Sequence, residues 1–365
     1  MADSPPRPLA PRLVRACRNE KLDRPPVWLM RQAGRYMAEY QAVRGEVTFL
    51  ELCKTPDLAA EVSMQPFRAF GMDAVIVFSD ILTIPEAMGL PLTFTDHGPV
   101  FPEPLRHVDQ LTSLKQPDPT RDLDFIMATL SQLRTRLSDH PDTALIGFSG
   151  APWTLATYMI EGGTSRNFTR IKQWAYDQPE ALHRLMARLS DTIALYLNAQ
   201  IDAGAQVVQL FDTWAGILPE AMYREFVLPY HQQILAQLNR KDAPAVLFVN
   251  NSRGLLPVIA EARPDVISID ATTCLSDARQ LTGGLPLQGN LDANALFAQP
   301  TVLKTLVEDT LRQGGNQGYV FNLGHGVLPQ TSVENVRLLV DTVKASAKSF
   351  ANASAATAAE PACTT

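Results

Sequence analysis

The sequence predicts a single-domain (β/α)8 barrel of the TIM type, an α/β fold, with an insertion after the second strand. Three observations carry this reading. Eight short apolar runs rich in branched residues recur along the chain, amphipathic helical patterns separate them, and no linker marks a second domain. Near-continuous apolar runs of this length suit strands buried on both faces, as in parallel sheets. Repeated strand–helix alternation favours a parallel barrel over an open sheet.

The predicted strands are 27–30, 74–78, 143–146, 206–211, 245–249 and 266–269, with two weaker ones at 285–288 and 318–321. Between the first two, a helix is predicted to begin at Pro56 and run to Phe70, closed by Gly71. Proline in the first turn and glycine past the end are the expected asymmetry of a helix. The stretch from about 80 to 143 holds too much proline and glycine for one helix and reads as an insertion that contributes to the site. After the third strand, Leu182, Leu185, Met186, Leu189, Ile193, Tyr196, Leu197 and Ile201 keep helical spacing, and the pattern stops at Gly204. The ends read as peripheral. Residues 1–8 are Pro-rich and predicted flexible, while 349–365 is an Ala/Ser/Thr run predicted to be disordered, leaving 9–348 as the barrel.

Composition narrows the function. A net charge of −6 over 365 residues argues against a nucleic-acid partner, which usually requires a basic surplus. Cys17, Cys53, Cys274 and Cys363 form no C-x-x-C pair and read as reduced thiols. No stretch approaches the roughly 20 apolar residues that cross a bilayer, and the first residues lack a secretory h-region, so a cytoplasmic protein is expected.

Barrel enzymes keep their sites at the C-terminal ends of the strands. The predicted exits carry Arg31 to Tyr36, Ser79-Asp80, Gly147 to Trp153, Asp212-Thr213-Trp214, Asn250-Asn251, Asp270, Gln288-Gly289-Asn290 and Asn322 to Gly326. Every one carries a polar residue and four of the eight include a glycine, which favours an enzyme. No phosphate-binding glycine loop, H-E-x-x-H or H-x-C zinc pair, or G-x-S-x-G elbow is present, so no nucleotide cofactor, metal or serine nucleophile is predicted.

The segments 26–36 (PVWLMRQAGRY) and 147–162 (GFSGAPWTLATYMIEG) resemble the two signatures of the uroporphyrinogen decarboxylase family. Phe78 to Leu82, Gln209 to Gly216 and Asn322 to Gly326 match further landmarks in the same order, and the similarity runs from about residue 10 to 347. The resemblance implies a cofactor-free homodimer that decarboxylates the four acetates of uroporphyrinogen III, yielding coproporphyrinogen III for haem or chlorophyll synthesis. It implies substrate binding by Arg31, Gln32, Ala33, Gly34, Arg35, Asp80, Tyr158, Thr213 and His325, with Asp80 and Arg31 at the reacting centre.

The residue types fit such a substrate. Arginine forks hold carboxylates bidentately and do not lose their charge, and binding is the favoured part for Arg31 because so basic a group is a poor proton donor. A carboxylate such as Asp80 can accept several pyrrole N–H groups. About 4 Å from a developing ring cation, at an effective dielectric of about 20, it stabilises that cation by roughly 4 kcal/mol, or about a thousandfold in rate. Otherwise Asp80 would be a helix cap, and Tyr158 and Thr213 ordinary core or capping residues. Trp28, Trp153 and Trp214 read as barrel core before macrocycle wall. Two alternatives stay open: a corrinoid- or thiol-dependent methyltransferase of the same barrel superfamily, whose zinc-holding His and Cys are not found here, and a tetrapyrrole carrier without chemistry.

Overall fold

The computed structural model describes residues 9–95 and 98–351. In chain order its strands are β1 (Ala74–Ile76), a small antiparallel hairpin of β2 (Thr93–Thr95) and β3 (Gly98–Val100), then β4 (Ala144–Gly150), β5 (Val207–Asp212), β6 (Ala245–Val249), β7 (Val266–Ser268), β8 (Leu287–Leu291) and β9 (Tyr319–Leu323). Outside the hairpin they form one parallel sheet in the order β1-β4-β5-β6-β7-β8-β9. Every residue of β4, β5, β6, β7 and β9 is buried, as the apolar runs predict.

The sheet curls closed through the segment predicted as the first strand. On one side Phe321 N donates to Pro26 O at 2.9 Å and Trp28 N to Phe321 O at 3.4 Å; on the other, Asp73 N donates to Val27 O at 2.9 Å. Only Val27 pairs in a strand register, so 27–30 is not the regular strand predicted. Side chains take the N–H groups a ladder needs. Leu29 N donates to Gln32 Oε1 at 3.1 Å and Met30 N to Asn322 Oδ1 at 3.0 Å. Similarly, β1 stops at Ile76 rather than 78, because Phe78 N turns to the Ser63 hydroxyl at 2.8 Å.

The long predicted helices are present as Pro56–Phe70 and Pro179–Asp202, and Gly71 sits at φ 65°, the left-handed ending the sequence anticipates. The stretch from 80 to 143 is broken as expected, into a short helix (Thr83–Ala87), the β2–β3 hairpin, a 3-10 turn (Val108–Ser113) and the crossover helix Asp124–Arg136. It braces the next crossover: Phe101 N donates to Gly162 O at 2.9 Å and Leu105 N to Met159 O at 2.8 Å. Residues 349–351, the start of the predicted tail, are helical, and the remainder of it and residues 1–8 lie outside the described residues.

Polar side chains meet inside the barrel. Gln288 donates from Nε2 to Gln209 Oε1 and Ser268 Oγ, both at 3.0 Å, and accepts from Trp28 Nε1 at 3.0 Å. Strands β5 and β8 are not sheet neighbours, so this contact must cross the interior. Above it, Phe148, Phe211 and Phe248 pack edge to face, with Phe248 also 6.4 Å from the His325 ring. They make an apolar floor beneath the strand exits. Among the described residues no helix is long and apolar enough to cross a membrane.

Candidate active site

The turn after the closing segment is tied down by its own side chains. Gln32, 1% exposed, donates from Nε2 to Ala74 O at 3.0 Å and accepts Leu29 N, while its carbonyl takes the Tyr36 hydroxyl at 2.6 Å. So held, Arg31 adopts a left-handed φ of 61°, a conformation that costs a non-glycine residue about 1–3 kcal/mol and often marks functional positions. The backbone N–H groups of Ala33, Gly34 and Arg35 make no hydrogen bond among the described residues. With the exposed Arg31 side chain beside them they form a nest of donors suited to an anion.

Asp80 leaves β1 half-buried. Its Oδ1 accepts Leu82 N at 2.8 Å, a turn two residues on rather than a helix cap, since Leu82 itself is the N-cap of Thr83–Ala87, and its other oxygen has no hydrogen-bond partner among the described residues. Burial pushes its pKa up to about 6, against the downward pull of Leu82 N–H and of Arg31, and Glu86 adds to the rise. From the helix Pro152–Glu161, Tyr158 enters the same field. Burial first, then the charge of Asp80, push its phenol up to about 12, and Arg31 opposes them. The phenol is therefore protonated and a donor at neutral pH.

His325 completes the group. Its Nδ1 accepts Gly326 N at 2.7 Å, which leaves Nε2 as the N–H of a neutral ring. Burial and then Arg31 lower its pKa, with Asp270 opposing, so the neutral form prevails. Gly326 makes room for Arg31: a Cβ there would stand 2.4 Å from Arg31 Cδ. Arg31 is thus the shared neighbour of Asp80, Tyr158 and His325.

Thr213, just past β5, is half-buried with its hydroxyl unpartnered among the described residues, and Trp214 lays its ring 4.1 Å from that of Tyr158. Trp28 and Trp153 are buried, so of the three tryptophans only Trp214 faces the site. Two predicted members depart from the group. Gln32 has both ends of its amide committed to the fold, so it supports the turn rather than facing the cleft. Arg35, four residues from Arg31 in a turn rather than a helix, is exposed beside Tyr40. The apolar floor of Phe148, Phe211 and Phe248 and the shelf at Gly326 carried no signal beyond ordinary core and loop.

Other strand exits bind one another. Asp270 accepts Ser252 N at 2.9 Å and Thr272 N at 2.7 Å, and Asn290 donates to Asp270 O at 2.9 Å. A 590 Å³ cavity lies at the opposite end of the barrel, where Gln206 and Ala243 precede β5 and β6. Its cations are already engaged, Arg15 with Glu20, Arg18 with Asp242, Arg240 with Asp265, Lys241 with Asp202 and Arg134 with the Gln206 amide, so it does not compete as the site. Among the described residues no three His, Cys, Asp or Glu side chains are grouped to hold a metal ion.

Against known proteins, the family model described as "Uroporphyrinogen decarboxylase (URO-D)" matches residues 9–346. The chain belongs to the uroporphyrinogen decarboxylase family. A uroporphyrinogen decarboxylase from Synechococcus sp. is 44% identical over 92% of this chain and 98% of its own length. One from Hahella chejuensis is 46% identical over 91% and 95%. Among solved structures, a methyltransferase from Methanosarcina mazei superposes with a TM-score of 0.77 at 20% identity, over 92% of this chain and 97% of its own. At that identity the likeness speaks for the shared barrel fold. The span matched to the family contains every site residue named above.

Proposed function

We propose that the chain decarboxylates uroporphyrinogen III, converting its four acetates to methyl groups and releasing CO2 to give coproporphyrinogen III. One observation carries the reading. The polar groups without partners among the described residues, namely the Arg31 guanidinium, one oxygen of Asp80 and the hydroxyls of Tyr158 and Thr213, sit at neighbouring strand exits over an apolar floor. A flat, anionic macrocycle with inward N–H groups matches that set. Asp80 accepts the pyrrole N–H groups. Arg31, the Ala33–Gly34 turn, Tyr158, Thr213 and neutral His325 receive carboxylates, and Arg35 serves the outer rim.

Each step balances without an oxidant or reductant. A proton adds to a ring carbon, the resulting cation draws the electrons of the C–CO2 bond as CO2 leaves, and a second proton on the exocyclic carbon replaces the first when the ring carbon gives its own back. One proton is consumed per acetate. Ionised Asp80, poised under the ring nitrogens, stabilises the cation as it forms. The reading includes no cofactor, a cytoplasmic location, no nucleic-acid partner, and a homodimer that closes the cleft around a large substrate.

Because the carboxylate is the working form, kcat/KM is expected to fall below pH 6 along an acid limb governed by Asp80. Turnover in D2O tests the chemistry: one solvent deuterium is expected in each new methyl, and a methyl without deuterium would contradict the protonation route. Gly326→Ala is expected to push Arg31 off its shelf, raising KM by roughly tenfold. Arg31 is exposed and can swing outward, so the melting temperature should hardly move.

A further inference from the structure

Behind the β5 exit lies a chain of polar side chains that the proposed chemistry does not use. Asp212, His231 and Tyr223 are each 0% exposed. His231 Nε2 and Asp212 Oδ2 lie 2.8 Å apart, and His231 Nδ1 lies 3.2 Å from the Tyr223 hydroxyl. Through its other oxygen Asp212 accepts two bonds from Thr154, from the backbone N–H at 3.0 Å and from the hydroxyl at 2.6 Å. The Thr154 hydroxyl oxygen in turn accepts Trp214 N–H at 3.2 Å.

This joins two elements that meet at the site. Thr154 stands in the first turn of Pro152–Glu161, one turn before Tyr158, and the N-cap residue Ala151 has no side chain to close that helix start. Asp212 closes it from the neighbouring strand, placing a carboxylate where the helix dipole favours one. Trp214, held by the same Thr154 hydroxyl, carries the ring that packs on Tyr158. A buried carboxylate must be fully bonded, and charge-assisted bonds are stiffer than a neutral cap. A neutral cap would suffice to start the helix. An acidic residue backed by an imidazole and a phenol adds rigidity between Tyr158 and Trp214.

We propose that Asp212, His231 and Tyr223 are positioning residues that fix the Tyr158–Trp214 pair and thereby set the affinity for the substrate carboxylate received by Tyr158. This rests on the assignment of Tyr158 as a substrate-binding residue. The clamp operates on the protein alone, so its first test needs no substrate. In His231→Phe, amide exchange at Thr154 and Trp214 is expected to quicken by about tenfold or more while the helix Pro179–Asp202 keeps its protection.

The second test is kinetic. His231→Phe is expected to raise KM by about tenfold with kcat little changed, and His231→Gln, whose amide can still donate to Asp212, to restore most of it. In a Tyr158→Phe background the KM effect of His231→Phe should vanish, because the hydroxyl it positions is gone. If His231→Phe does not fold, Tyr223→Phe, which leaves every bond to Asp212 intact, carries the same cycle with an expected effect of about two- to threefold. Unchanged exchange at Thr154 and Trp214, or KM effects that add in both backgrounds, would overturn the proposal. A native protein that shows the exchange result but does not decarboxylate would instead overturn the functional reading and leave the clamp standing.

Discussion

Asp80→Asn is expected to lower kcat by about a thousandfold or more while making the folded protein more stable. The loss follows from removing the anion on which the pyrrole N–H groups and the cationic intermediate depend. The gain follows from the cost of keeping that anion. Burial raises the folded-state pKa of Asp80 to about 6, above its ordinary value of 3.8. A carboxyl shifted upward contributes most to stability when protonated, below its unfolded pKa, and that contribution is lost as pH rises through 6. At pH 7 the ionised group therefore costs the fold on the order of 2–3 kcal/mol. Asparagine keeps the oxygen that accepts Leu82 N–H and removes the charge. Melting curves at pH 7 should show the variant above the native protein by several degrees, and the gap should close as pH falls toward 4. A variant that is inactive but less stable would mean that Asp80 is a structural cap and not a strained functional anion.

Arg31→Gln is expected to raise KM by about tenfold to a hundredfold, the loss of a charge-assisted contact to a carboxylate. It also has a signature that simple loss of affinity lacks. Arg31 holds the pKa of Asp80 down and lowers that of His325. Without it the acid limb of the kcat/KM profile should move above pH 6, and His325 should titrate at higher pH by NMR. A raised KM with an unmoved acid limb would place Arg31 at the rim, away from Asp80.

Much of this was legible in the sequence, for reasons that differ by element. The helices Pro56–Phe70 and Pro179–Asp202 declared themselves because one face is buried along their length and a proline and a glycine mark their ends. Strand positions were legible from apolar runs, but strand ends were not. Residues 148–150, Asp212, Asn290 and Asn322 are polar, small or aromatic, yet they lie within regular strands. Hydrogen bonding, not hydropathy, decides where a ladder stops. The segment 27–30 failed in the opposite sense: its residues suit a strand, but Gln32 and Asn322 intercept its N–H groups.

The site divides in the same way. A strand exit tells where a side chain will be, not what it will bond. Asp80, Asp212 and Asp270 all follow or end strands and look alike in sequence. Folded, Asp212 is engaged by side chains of two helices and Asp270 by neighbouring loops, and among the described residues Asp80 keeps an unpartnered oxygen beside Arg31. His231 and Tyr223 belong to helical segments outside the barrel, and no pattern tied them to the β5 exit. Only the packing of those helices on the strand reveals the connection.

Decarboxylation centred on Asp80 can be observed in a single experiment. Purified, EDTA-treated protein is incubated anaerobically with uroporphyrinogen III, and the porphyrins are separated by chromatography after oxidation. Hepta-, hexa-, penta- and finally tetracarboxylate products, formed by the native protein and abolished in Asp80→Ala, are the expected result. Measurable binding of uroporphyrinogen without loss of CO2 from the native protein would contradict the account and leave a tetrapyrrole carrier in its place.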